Sequence, residues 1–90
     1  MKANDDMKEK IIAYLKKCDE NHPATIGNLT FAVFGEKFSL NKNKELYYKT
    51  QVFNILSQLE TESVVKNLNR PITTDIAYIM KASRWVLIKY

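Results

Sequence analysis

Lys42, Lys44 and Lys49 flank a run of side chains that form hydrogen bonds without carrying charge: Asn43, Tyr47, Thr50, Gln51 and Asn54. At helical spacing these residues share one face, which Ser57 and Thr61 continue. Solvent-facing helix stripes are usually rich in Lys and Glu. A face of amides, hydroxyls and one aromatic ring suits contacts to base edges, because a carboxamide both donates and accepts. Tyr47 and Tyr48 are adjacent, so one ring points in and the other out. Tyr48 falls on the apolar stripe, which makes Tyr47 the ring available for contact.

The charge map agrees with this placement. The chain carries 14 Lys and Arg, 10 Asp and Glu and a formal net charge of +4. Residues 1–20 balance to zero, and residues 21–36 sum to −1 through Glu36. Residues 37–54 hold Lys37, Lys42, Lys44 and Lys49 against Glu45, or +3. Residues 55–62 sum to −2 through Glu60 and Glu62. Residues 63–90 hold Lys66, Arg70, Lys81, Arg84 and Lys89 against Asp75, or +4. Excess positive charge therefore sits in two blocks, and a polyanion is the natural partner for both.

Other chemistry finds no constellation. His22 stands alone beside Pro23 and reads as a surface-turn residue without metal or catalytic partners. Cys18, the single cysteine, lies on an apolar stripe and reads as a buried, inert thiol. One cysteine makes no internal disulfide and no Cys-based zinc site. Asp5-Asp6 read as a helix start and Asp19-Glu20 as a solvated turn. Gly-rich phosphate loops, nucleophile elbows and paired acid/base residues are absent. No catalytic residue, metal site or cofactor is therefore expected, and the chain does not read as an enzyme.

The elements that must position this face fit a small domain. Ninety residues, 46% of them apolar and 27% charged, predict one globular domain over 1–90. Two Gly and two Pro exclude linker-like sequences and most loop-rich β architectures. No apolar run is long enough to span a membrane, and MKANDDMKEK is acidic where a signal peptide is apolar. The expected location is intracellular, cytoplasmic or nucleoid-associated.

A first helix is predicted from Asp5 to about Cys18, with Met7, Ile11, Tyr14, Leu15 and Cys18 as its inward stripe and Asn4, Asp5 and Asp6 at its start. Ile12 falls off that stripe and is expected to meet a neighbouring element or a second subunit. A polar turn, Asp19 to Pro23, follows. A short second helix starts at Thr25, places Ile26, Leu29, Thr30 and Val33 on one face, and ends at Gly35. Glu36 to Asn43 reads as a polar loop pinned by Phe38 and Leu40. A third helix runs from about Lys42 to Thr61, with Tyr48, Val52, Ile55, Leu56 and Leu59 inward. Residues 63–69 and 84–90 then read as two strands of an antiparallel hairpin. In the second, Trp85 is expected to pack in the core or hairpin, not to stack on bases. Ile76 to Met80 reads as extended structure, in preference to a helical turn capped by Thr74.

Three helices followed by a hairpin resemble the winged helix-turn-helix superfamily. The resemblance rests on element order, on the small Thr25–Gly35 helix, and on the long helix whose end, Leu56-Ser57-Gln58-Leu59-Glu60-Thr61-Glu62, runs straight into Val64-Val65-Lys66. Arg84-Trp85-Val86-Leu87-Ile88 resembles the returning wing strand. The segment between the strands is longer than a compact wing. The resemblance implies an α+β fold, a three-helix helix-turn-helix core with a C-terminal β-hairpin wing, and double-stranded DNA as partner. It places the third helix in the major groove, with Gln51 and Asn54 on adenine edges and Tyr47 on a thymine methyl or a phosphate. It puts Lys42, Lys44 and Lys49 on phosphates and Arg70 at the minor groove. The function implied is sequence-specific transcriptional regulation, with a log–log salt slope near −5 for roughly six neutralised phosphates. A homodimer would read two half-sites through contacts at Ile12 or at the C-terminal strand. Two rival readings are a winged-helix protein-interaction adaptor and an RNA or single-strand binder using Tyr47, Trp85 and the basic hairpin.

Overall fold

The structure is a computed structural model that describes residues 2–88. In chain order it runs α1 (Lys2–Leu15), β1 (Ala24–Thr25), α2 (Ile26–Phe34), α3 (Glu36–Leu40), a 3-10 turn (Lys42–Lys44), α4 (Glu45–Thr61), β2 (Val65–Asn67), α5 (Ile76–Ala82) and β3 (Arg84–Leu87). It is a small α+β domain whose described residues form five α-helices and a three-stranded antiparallel sheet.

The amphipathic stripes dictate the core. Ile11 and Leu15 from α1, Leu29 and Val33 from α2, and Val52, Leu56 and Leu59 from α4 close one apolar cluster with Val65 and Trp85. Met7, Tyr14 and Cys18 pack at its margin, so the whole predicted stripe of the first helix faces inward. α1 itself starts ahead of Asn4-Asp5-Asp6. It ends before Cys18, where Lys17 and Cys18 donate to the carbonyls of Tyr14 and Leu15 in a closing turn. Ile12 is buried too, at the edge of a groove that Leu59 and Val64 also line.

α2 is specified by its ends. The Thr25 hydroxyl accepts from the Asn28 amide at 3.1 Å, and the Asn28 carboxamide oxygen accepts from the Thr25 amide at 3.4 Å, a reciprocal capping box. Gly35 closes the helix with φ 61°, donating to the Phe31 carbonyl at 2.7 Å. Few residues other than glycine adopt that backbone. The expected loop over Glu36–Asn43 is instead a helical turn, α3, followed by the 3-10 turn. Phe38 is half-buried, but Leu40 is 79% exposed and pins nothing.

The sheet has the order β1-β3-β2. Val65 pairs with Leu87, Lys66 with Val86 and Asn67 with Trp85, as a β2–β3 hairpin requires. Ala24 and Thr25 add a two-residue strand on the other side of β3, facing Trp85 and Arg84. No periodicity shows in two residues, so this strand is not visible in the sequence. β3 is thereby the central strand. Its successive residues Trp85 and Val86 point to opposite faces, and both are buried. Trp85 is fully buried, edge-on to Phe53 with ring centroids 6.0 Å apart, in the core role expected of it. Lys89 and Tyr90, assigned to the same strand, lie outside the described residues.

One prediction fails outright. Ile76 to Met80 is not extended but forms α5. The Asp75 carboxylate caps it, accepting from the Ala77 and Tyr78 amides at 3.1 and 3.4 Å, and Met80 is buried beneath it against α2 and α4. The cap is Asp75 and not Thr74. An aspartate N-cap plus one docked side chain outweighs the β-leaning Ile-Ala-Tyr-Ile run.

Candidate functional site

α4 carries the predicted face and spans about 25 Å at 1.5 Å per residue. Its five expected inward residues, Tyr48, Val52, Ile55, Leu56 and Leu59, are its buried residues. Tyr48 lies against Phe34 with centroids 4.5 Å apart, and Tyr47 turns outward, 59% exposed. Asn43, Thr50 and Asn54 are exposed and Gln51 is half-exposed. From Leu46 to Leu59 the only charged side chain is Lys49. Gln58 belongs to this face as well: it stands beside Gln51 and Asn54 around a shallow depression floored by Ile55. The spacing of 51, 54 and 58 carried that information, and the sequence reading passed over it. Leu46 is also exposed on α4, an apolar side chain where the sequence pointed only to polar ones.

The cations divide into two groups. Lys42 and Lys44 stand exposed in the 3-10 turn that leads into α4, and neither closes an ion pair among the described residues. No side chain caps the helix there, so the positive end of its dipole adds to their field. Lys49 bonds Glu45 one turn earlier at 2.9 Å. That bond, then the Lys49 charge, then the more distant Lys42 charge hold the Glu45 carboxyl below the ordinary carboxylate range.

Arg70 is elsewhere. Its guanidinium meets both carboxylate oxygens of Glu60 at 2.6 Å. Glu60 lies fifteen residues beyond Glu45, or about 22 Å along the helix axis. The predicted site residues are therefore not all brought together: Lys42 to Asn54 lie on the 3-10 turn and the first part of α4, and Arg70 neutralises the helix's far end. The second basic block splits in the same way. Lys81, on α5, stands beside the start of α4 in a groove with Lys42 and Lys49. Lys66 is exposed on β2. Arg84 turns its guanidinium onto the carbonyls of Lys81 and Ser83, at 3.0 and 2.9 Å. Lys81 joins the first block only because α5 folds back, which the sequence does not disclose.

The remaining titratable groups are local. The Cys18 thiol donates to the Tyr14 carbonyl at 3.6 Å, and burial, then the nearby Asp19 charge, raise its pKa and disfavour the thiolate. His22 sits in the Asp19 turn, where its backbone amide donates to the Asp19 carboxylate at 2.8 Å. Among the described residues no three His, Cys, Asp or Glu side chains group around a point that could hold a metal. No helix among them is long and apolar enough to cross a membrane.

Comparison of the chain with protein-family models, with curated proteins and with solved structures gives no match.

Proposed function

We propose that this protein binds double-stranded DNA through α4, as a small regulator with a winged-helix arrangement. The observation that carries the reading is the exposed, almost uncharged face of α4, Tyr47, Thr50, Gln51, Asn54 and Gln58, entered past Lys42 and Lys44. Amides and hydroxyls on a helix of this length suit base edges in a major groove, and lysines at its start suit phosphates. Lys81 extends the positive rim. The packing of α2 against α4 and the antiparallel β2–β3 pair support the winged-helix arrangement. The wing takes an unusual form, because its connection folds into α5 and docks on the core.

Of the two surfaces suggested for self-association, one is covered and the other partly so. Ile12 is buried within its own fold, and on its β1 side β3 is covered at Arg84 and Trp85. The single-strand reading loses one of its two rings, since Trp85 is fully buried. A protein-adaptor reading draws support from Leu46 and Tyr47, each 59% exposed on α4.

A titration with mixed-sequence duplex DNA at two salt concentrations separates these readings. DNA binding predicts affinity that falls steeply with salt and falls at least tenfold in a Lys42/Lys44/Lys49→Ala variant, about 1.4 kcal/mol. Absence of duplex binding at low salt, with the fold intact by circular dichroism, contradicts the proposal.

A further inference from the structure

The groove between the start of α4 and the docked helix α5 has a volume of about 520 Å³. That lies within the range of small-ligand pockets, roughly 300–1,000 Å³. Its apolar lining comes from three elements that only the fold brings together. Ile26 at the start of α2 and Met80 of α5 are each 3% exposed, while Leu46 of α4 and Ala77 of α5 stand more open. Its polar lining is cationic. Lys42, Lys49 and Lys81 face one carboxylate, Glu45, which Lys49 already satisfies at 2.9 Å. Lys42 and Lys81 close no ion pair among the described residues.

We infer that this groove is a binding site for a small amphiphilic monocarboxylate, its apolar body over Leu46 and Ala77, next to the buried Ile26 and Met80, and its carboxylate between Lys42 and Lys81. Charge complementarity selects an anion: two ammonium groups that close no ion pair among the described residues sit beside the exposed Leu46 and Ala77. A groove of about 520 Å³ takes a small molecule. A ligand of about ten to fifteen non-hydrogen atoms suits such a space. Its expected affinity is near 1 mM or tighter at ordinary ligand efficiencies. The site stands on the groove alone. Its consequence for DNA rests on the proposed function: Lys42 and Lys49 serve both surfaces, so a bound carboxylate would oppose duplex binding.

The test is a titration with decanoate below its aggregation concentration, in the absence of DNA, following the Met80 methyl resonance by NMR. A saturable shift is expected. It should weaken at least fivefold in a Lys42→Gln/Lys81→Gln variant, disappear when Ala77→Phe fills the groove, and be absent with decyltrimethylammonium. Both variants alter exposed positions, and circular dichroism checks that each folds. No saturable Met80 shift up to about ten times the expected dissociation constant overturns the inference. So does an equal response to the cationic analogue, which would mark an apolar patch without charge selection. Because no DNA is present, failure here leaves the DNA reading standing. Equally, failure of duplex binding leaves the groove standing.

Discussion

The two ends of α4 are built on opposite plans. At the C-terminal end every local demand is met internally. Val64 donates to the Leu59 carbonyl at 2.9 Å and Ser63 to the Glu60 carbonyl at 3.0 Å, with Ser63 in the left-handed region at φ 63°, a Schellman closure. Arg70 covers Glu60, and the chain passes directly into β2, whose Val65 is fully buried. At the N-terminal end no side chain caps the helix, Lys42 and Lys44 close no ion pair among the described residues, and a groove opens against α5. One end anchors the fold, and the other leaves its first turn uncapped by any side chain and two lysines without ion pairs among the described residues. Charge counts alone would treat Arg70 and Lys42 alike. Their surroundings separate them.

Substitutions that probe each end sharpen the contrast. The largest effect belongs to the anchor: Trp85→Ala removes the fully buried indole beside Phe53 and should cost about 3–5 kcal/mol in denaturant unfolding. Ser63→Gly should stabilise by about 0.5–1 kcal/mol, because a non-glycine residue in the left-handed region is strained and glycine is not. A loss of stability there would contradict the C-terminal closure. Arg70→Gln should cost about 0.2–1 kcal/mol, less at high salt, since the pair with Glu60 is half-exposed, and it should leave duplex affinity within about twofold.

The smallest effect is the Glu45–Lys49 pair, worth about 0.3–0.5 kcal/mol as an exposed i, i+4 contact with glutamate N-terminal to lysine. The Glu45 carboxyl is held below its ordinary value, so this contribution is fully present above that value, 4.5, and is lost as pH falls through the lowered pKa. Comparing unfolding of wild type and Glu45→Gln above and below pH 4.5 reads it out. The difference should vanish in acid.

Legibility in the sequence followed element length and range of interaction. Seventeen residues of α4 repeat their 3.6-residue period nearly five times, so the buried stripe and the outward Tyr47–Asn54 face could be read directly. α2 was legible because Thr25 and Gly35 are end signals in themselves. α5 was not, since a seven-residue helix carries too few turns and depends on docking Met80 against α2 and α4. β1 is shorter than any period. The site divided on the same line. Lys42 to Asn54 are near in sequence and near in space. Arg70 finds Glu60 ten residues back across a strand, and Lys81 reaches α4 only through α5, so neither position follows from local pattern.

Under the proposed function, the open end of α4 is the end that meets DNA. Amide NMR of the labelled protein, titrated with a mixed-sequence duplex at low salt, tests it residue by residue. The largest shifts are expected at Lys42, Asn43, Lys44, Tyr47, Gln51, Asn54 and Lys81, with Glu60, Ser63 and Arg70 little moved. Shifts centred on Glu60, Arg70 and Lys66 with a quiet Lys42–Asn54 segment would contradict it.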